Sequence, residues 1–187
     1  MVSDVDALTR MALRARTGDG DALESLVDGT YEHVWCLCAS LVDRESADDL
    51  AQDTYLRVVR ALAQFRADAS ARTWLLAIAR RACMDELRRR SRRRRRDQAI
   101  QMTTVGRARV GADASVVPVV ADMVDRLEPG RRLAFVLTQV IGLTYDEAAE
   151  VCECPPGTIR SRVARAREDL LGMSRGRTSM DRSAPPA

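Results

Sequence analysis

The sequence predicts an all-α protein made of two helical modules joined by a flexible linker. Three observations carry that expectation. Apolar residues recur at three- and four-residue spacing in two long stretches. The 46% hydrophobic content comes mainly from Ala, Leu and Val, with only 4% aromatics, so the core is expected to be aliphatic and built between helices. Between residues 97 and 118 the periodicity gives way to Gly, Thr, Ser and Val. A chain of 187 residues suits two compact units and a tether.

Leu8, Met11, Ala12 and Ala15 predict a short first helix, closed by Gly18-Asp19-Gly20. Leu23, Leu26, Val27, Val34, Leu37, Leu41 and Val42 predict one long helix from about Asp21 to about Val42, weakened at Gly29. Ser46 with Asp49 resembles a capping box, opening a third helix whose Leu50, Tyr55, Val58, Val59 and Leu62 are expected to face the core. Its other face displays Asp49, Gln52, Asp53 and Arg57. Ser70 is the expected N-cap of a fourth helix carrying Trp74, Leu75, Ile78, Ala82 and Leu87, which continues into arginine runs at 88–90 and 92–96. The first module is thus expected to span 1–96 and the linker 97–118.

The second module, 119–173, opens with Val119, Val120, Met123, Val124 and Leu127, breaks at Pro129-Gly130, and resumes from Leu133 to Val140. Thr144-Tyr-Asp-Glu147 has the form of a capping box. The helix it starts is interrupted at Glu153-Cys154-Pro155 and followed by a last helix through Leu171, which is helix-turn-helix spacing. The tail from Ser174 to Ala187, rich in Ser, Arg and Pro, is expected to be disordered.

The net charge of +3 conceals segregation. Residues 1–79 carry 8 Arg against 13 acids, residues 80–96 carry 10 Arg against 2, and residues 97–187 balance 12 against 12. An acidic module therefore leads into a basic band, the local pattern that selects a polyanion. All 30 basic residues are Arg, whose forked donors suit phosphate and guanine, although a GC-rich genome is the favoured cause of the bias. The N-terminal MVSDVDALTR lacks a basic segment followed by an apolar stretch, and no uncharged run is long enough to span a bilayer, so a cytoplasmic protein is expected.

The odd number of cysteines, Cys36, Cys38, Cys83, Cys152 and Cys154, argues against a disulfide framework. The two Cys-x-Cys pairs fall in different modules without the ligand spacing of a structural zinc site, so no metal is expected. His33, the only histidine, has no nucleophile or carboxylate pattern around it, and Walker and dinucleotide-binding glycine patterns are absent. Neither catalytic residues nor a cofactor are expected.

The strongest local signal is Pro155-Pro-Gly-Thr-Ile-Arg-Ser-Arg-Val-Ala-Arg-Ala-Arg167, a helix start bearing four arginines and no acid. Ile159, Val163 and Ala166 form its apolar side, leaving Thr158, Arg160, Ser161, Ala164 and Arg165 to face a major groove, where Arg can donate two bonds to guanine. Taken alone, such a face is equally compatible with a solvated basic helix.

Leu143-Thr-Tyr-Asp-Glu-Ala-Ala149 followed by Gly157-Thr-Ile-Arg-Ser-Arg-Val-Ala-Arg-Ala-Arg167 closely resembles region 4 of extracytoplasmic-function sigma factors. Asp48-Asp-Leu-Ala-Gln-Asp-Thr-Tyr-Leu-Arg57 resembles region 2.2, and Thr73-Trp-Leu-Leu-Ala-Ile-Ala-Arg80 with Asp85 to Arg89 resembles regions 2.3 and 2.4. The resemblance implies an alternative sigma factor, a non-enzymatic subunit that binds core RNA polymerase and directs promoter-specific initiation. It implies that Asp49, Gln52, Asp53 and Arg57 meet the clamp helices of the largest polymerase subunit, and that region 4 sits at the flap. It also implies that Arg72, Trp74, Arg80, Arg81, Asp85, Arg88 and Arg89 meet the minus-ten element, and that Thr158, Arg160, Ser161, Ala164 and Arg165 meet the minus-thirty-five element. Trp74 could stack on an unpaired base or pack in the core, where its register with Ile78 places it. Many relatives are held by an anti-sigma protein, a further partner allowed here. The residues alone also leave open a conventional DNA-binding regulator using only the second module, or a polymerase-binding protein without promoter specificity.

Overall fold

The computed structural model describes residues 6–101 and 118–181, and these form helices and turns only. The order is α1 (Ala7–Ala15), α2 (Gly20–Asp28), α3 (Tyr31–Leu41), α4 (Ala47–Ala61), a 3₁₀ turn (Leu62–Gln64), α5 (Ala71–Gln101), α6 (Pro118–Asp125), α7 (Pro129–Phe135) running into a π turn (Val136–Val140), α8 (Tyr145–Cys152) and α9 (Pro156–Asp181). The all-α class holds, with helical units on either side of residues 102–117, which lie outside the described part. No helix among the described residues is long and apolar enough to cross a membrane.

The caps explain most starts. Asp6 accepts from the Thr9 backbone N–H at 2.9 Å and Asp19 from that of Ala22 at 3.0 Å. Gly18 makes the turn between α1 and α2 at φ 93°, a conformation that favours glycine. Ser70 caps α5 as expected, accepting from Thr73 N at 3.1 Å. Thr144 and Glu147 form the reciprocal capping box at α8, worth on the order of 1 kcal/mol.

The structure corrects four expectations. The single helix from Asp21 to Val42 is two helices, broken at Gly29-Thr30. There the buried Thr30 hydroxyl donates to Leu26 O at 2.6 Å while its backbone N–H turns to Val27 O at 3.1 Å, displacing the helical pattern. Leu8 of α1 packs onto the break so closely that a Cβ at Gly29 would lie 2.8 Å from Leu8 Cδ2. Secondly, Ser46 makes no side-chain cap at α4: its hydroxyl accepts from Arg90, and its N–H donates to Asp43 at 2.8 Å.

Thirdly, Val59 does not face the core; it is 52% exposed, because burying Thr54, Val58 and Leu62 turns Gln52, Leu56 and Val59 outward along one stripe. Fourthly, helix persists past both places where order was expected to end. α5 runs through Asp97 to Gln101, sustained by helix-favouring arginines and by pairs such as Arg90 with Glu86 at 2.9 Å. α9 runs through Ser174 to Asp181, since extending an established helix costs little until proline intervenes. The rest of the expected tail, from residue 182, lies outside the described residues.

A small core joins α1 and α2 to the segment before α5 through Ala12, Ala15, Ala22, Leu26, Leu62, Phe65 and Ala71. The larger core runs without interruption from Val34, Leu37, Leu75 and Leu76 in the first unit to Leu133, Leu137, Val151 and Ile159 in the second. α5 lies against α8 and α3 against α7, so the two units close on each other.

Candidate nucleic-acid interface

α9 sorts its residues by face. Ile159, Val163 and Ala166 are buried against α7 and α8, while Arg160, Ser161, Ala164 and Arg165 are exposed and Thr158 lies at their edge. The outward set is the one expected from the 3.6-residue period. Its start is fixed by the α8–α9 turn, where Glu153 adopts a left-handed conformation at φ 54° and Cys154 N donates to Ala149 O at 3.1 Å. The Arg160 guanidinium carbon lies 5.7 Å from the Tyr145 ring centroid, a cation–π contact that orders the exposed side chain at the surface.

The segment before α5 is braced by the first helix, a role the sequence did not reveal. Arg16 donates to Phe65 O at 2.8 Å, and the Thr9 hydroxyl accepts from Ala71 N at 2.8 Å. Ala67 between them takes φ 59°. Trp74 packs on Phe65 with ring centroids 4.8 Å apart and touches both cores, which favours packing of the two options. Arg72 is half-buried; burial, then the Arg72 charge, lowers the pKa of nearby His33 below its ordinary value.

On α4, Asp49 and Gln52 are exposed beside Leu56 and Val59, which are 58% and 52% exposed. This face is therefore apolar at its centre with carboxylates at its margin. Arg57 differs from its neighbours: it is half-buried, pairs with Asp53 at 2.8 Å and reaches Asp85 on α5 at 2.9 Å. Asp85 also pairs with Arg88 at 3.0 Å. The hydrogen bonds from Arg57 and then Arg88 hold the Asp85 carboxyl below its ordinary pKa. One ionic chain thus connects residues assigned to two different surfaces. Arg89 stays exposed, whereas Arg90 is drawn to Asp43, Ser46 and Glu86 and braces α5 against the α3–α4 turn.

Arg80 and Arg81 are engaged by the second unit. Arg81 pairs with Glu153 at 2.8 Å, and Arg80 donates to Val151 O at 3.4 Å and lies 3.9 Å from Glu153. From the other side, Arg132 of α7 donates to Ser40 O at 3.0 Å. None of these contacts was visible in the sequence, because each joins residues more than seventy positions apart without local periodicity.

The five cysteines are free thiols. Cys38 and Cys83 are buried with sulfurs 3.5 Å apart, and the hydrogen bond to Cys38 together with burial pushes the Cys83 thiol up. Burial pushes Cys152 up to about 11. Such thiols stay protonated and pack as small apolar groups.

Residues 26–93 match the family model described as sigma-70 region 2, and residues 119–170 match sigma-70 region 4. The chain belongs to the extracytoplasmic-function sigma factors of the sigma-70 family. It is 46% identical over 170 residues to the ECF RNA polymerase sigma factor SigC of Mycobacterium tuberculosis, covering 90% of this chain and 92% of that one. The probable RNA polymerase sigma-C factor of Mycobacterium bovis matches to the same extent. RNA polymerase sigma-H factor of Pseudomonas aeruginosa is 31% identical over 172 residues, 84% of this chain and 88% of its own.

Among solved structures, this sigma factor shares its fold with CnrH in complex with the cytosolic domain of CnrY, at TM-score 0.68 and 24% identity over 96% of this chain and all of that one. It likewise matches the sigma factor RpoE in complex with the anti-sigma factor NepR from Bartonella quintana, at TM-score 0.69 and 24% identity over 81% and 96% of the two chains. Sigma factors are non-enzymatic: this one binds RNA polymerase and directs transcription initiation.

Proposed function

We propose that this sigma factor selects its promoters through two separate surfaces and docks on polymerase through a third. The outward face of α9, with Thr158, Arg160, Ser161, Ala164 and Arg165, reads the minus-thirty-five element. The observation that carries this is the clean division of α9 into that face and the buried Ile159, Val163 and Ala166, since a recognition helix needs one side for its own core and one for base edges. Arg72, Arg80, Arg81, Asp85, Arg88 and Arg89 serve the minus-ten element, with Trp74 supporting the segment before α5 from within. A cationic helix edge beside a braced loop suits a displaced strand.

Asp49, Gln52, Asp53 and Arg57 mark the docking surface for the clamp helices of the largest polymerase subunit, with region 4 at the flap. The exposed Leu56 and Val59 strengthen that reading by supplying the apolar centre a stable interface needs. On this view region 2 occupies 1–96, region 4 occupies 119–173, and the protein works in the cytoplasm. Because the RpoE relative is complexed with an anti-sigma factor, an anti-sigma protein is a further partner under the same reading.

Run-off transcription with purified core polymerase tests the whole scheme. The expected result is initiation at a specific promoter only when this chain is added. Specific, salt-insensitive binding to duplex by the free protein, without initiation, would instead mark a conventional regulator.

A further inference from the structure

Where the two units meet, Ser40 and Leu41 of α3, Met84 and Leu87 of α5, and Pro129 and Leu133 of α7 enclose a cavity of about 310 Å³. Three arginines also line it: Arg80 from α5, Arg132 from α7 and Arg162 from α9. Among the described residues no acid is on its wall, although the chain carries nearly as many acids as arginines. A volume of that size is at the lower end for a small-molecule site.

The arginines are incompletely satisfied. Buried Nε atoms of Arg80 and Arg132 have no hydrogen-bond partner among the described residues. A buried N–H without an acceptor is costly, so these guanidiniums keep donor capacity that no group among the described residues uses. Their ion pairs are long, 3.9 Å from Arg80 to Glu153 and 3.7 Å from Arg132 to Asp125. Arg132 directs its Nη donors to the Ser40, Asp125 and Leu127 carbonyls at 3.0, 2.6 and 3.3 Å, neutral acceptors that leave its charge without a close carboxylate. Arg162 is half-buried on the inner side of α9, while its neighbours Arg160 and Arg165 face out, and Glu128, which senses its charge, is already committed to the N–H groups of Gly130 and Arg131 at 3.0 and 3.1 Å.

We propose that this cleft binds a small amphipathic anion, its carboxylate or phosphate head paired with Arg80, Arg132 and Arg162 and its apolar body lying against Leu41, Met84, Leu87 and Leu133. The wall is apolar over most of its area with cations from three helices, the chemistry that a single acidic head on a short aliphatic or aromatic body complements. Because the wall comes from both units, the anion binds only while they are closed and draws them together. It also occupies Arg80. The consequence for transcription rests on the promoter-contact reading of Arg80; the binding does not.

Calorimetric titration of the full chain tests it, using octanoate, octyl phosphate, 1-octanol and inorganic phosphate as probes. One equivalent of octanoate or octyl phosphate is expected to bind, and the tighter of the two identifies the preferred head. Octanol, lacking the head, and inorganic phosphate, lacking the body, should each bind weaker by about tenfold or more. Arg162→Met should weaken the acidic probe by about tenfold with thermal unfolding unchanged, and Met84→Trp should fill the cavity and abolish binding. Equal binding of octanol, equal binding of inorganic phosphate, unchanged binding by Arg162→Met, or no binding of either acidic probe would each overturn the proposal. A wrong promoter-contact assignment would show separately, as unaltered run-off transcription by Arg80→Ala without any probe.

Discussion

Arg57 Nη1 lies 2.9 Å from Asp85 Oδ2, so α4 is tied directly to the middle of α5. The same guanidinium holds Asp53 at 2.8 Å, and Asp85 passes the contact on to Arg88. On the reading proposed above, polymerase docking and promoter contact share one row of charges rather than occupying unrelated patches.

The first prediction follows from that row. Arg57 and Arg88 depress the Asp85 pKa, so the stabilisation they give is present above the ordinary aspartate value and is lost as pH falls through the lowered folded value. Arg57→Ala should move the Asp85 titration upward, toward the ordinary value. Carboxyl-carbon NMR of wild type and variant measures it, and an unmoved Asp85 would show that Arg88 alone sets the shift.

The docking face makes a second prediction. Asp49→Arg combined with Asp53→Arg should abolish core-polymerase binding in a pull-down while far-ultraviolet circular dichroism stays unchanged, because charge changes at such surface sites rarely unfold a helix. Leu56→Asp should weaken docking by a different route, by placing a carboxylate at the apolar centre. Retained binding by the double variant would remove the docking assignment.

A third prediction concerns closure. Arg81→Glu should separate the units in the free protein by setting like charges at the 2.8 Å contact with Glu153, and adding Glu153→Arg should restore closure. Energy transfer between dyes placed on α2 and α9 reports the distance. Hydrogen bonding from Arg81 lowers the Glu153 pKa, so the contact persists above the ordinary glutamate value and weakens as pH falls through the lowered one. Raised salt should weaken it as well.

Arg165 carries the fourth. It is exposed one turn beyond Ser161 on the face proposed to enter the groove, from which an arginine can donate two bonds to guanine. Arg165→Ala should cost about 1–3 kcal/mol at one base pair of the minus-thirty-five element and relax preference there. Holoenzyme binding to single-base promoter variants measures this. A uniform loss with a salt slope lower by about one would mean a phosphate contact instead.

What the sequence disclosed divides by range. Ser70 capping α5, the Thr144–Glu147 box and the two faces of α9 depend on residues within a turn or two of each other, so pattern alone finds them. The break at Gly29-Thr30 depends on Leu8 arriving from another helix, and the lost cap at Ser46 depends on Arg90 arriving from 44 positions away. Val59 misled because adjacent Val58 and Val59 look equivalent in a periodic reading, yet one helix can bury only one of them there. The closure through Arg80, Arg81, Arg132 and Glu153 has no local signature at all.

α5 also has a mechanical meaning. Its 31 residues make a single rod of about 46 Å. Thr9 pins the start of that rod at Ala71, and Arg57 and Arg90 clamp its middle through Asp85 and Asp43, so the stretch beyond Arg90 projects from a base held at two points. A tilt of the whole rod by about ten degrees, with those contacts released, would carry the far end through about 8 Å, on the helical rise of 1.5 Å per residue. The segment before α5 and the far end of α5 at Gln101 are thus two ends of one stiff body, and on the proposed promoter reading a movement of the first is felt at the second without a chain of intermediate contacts.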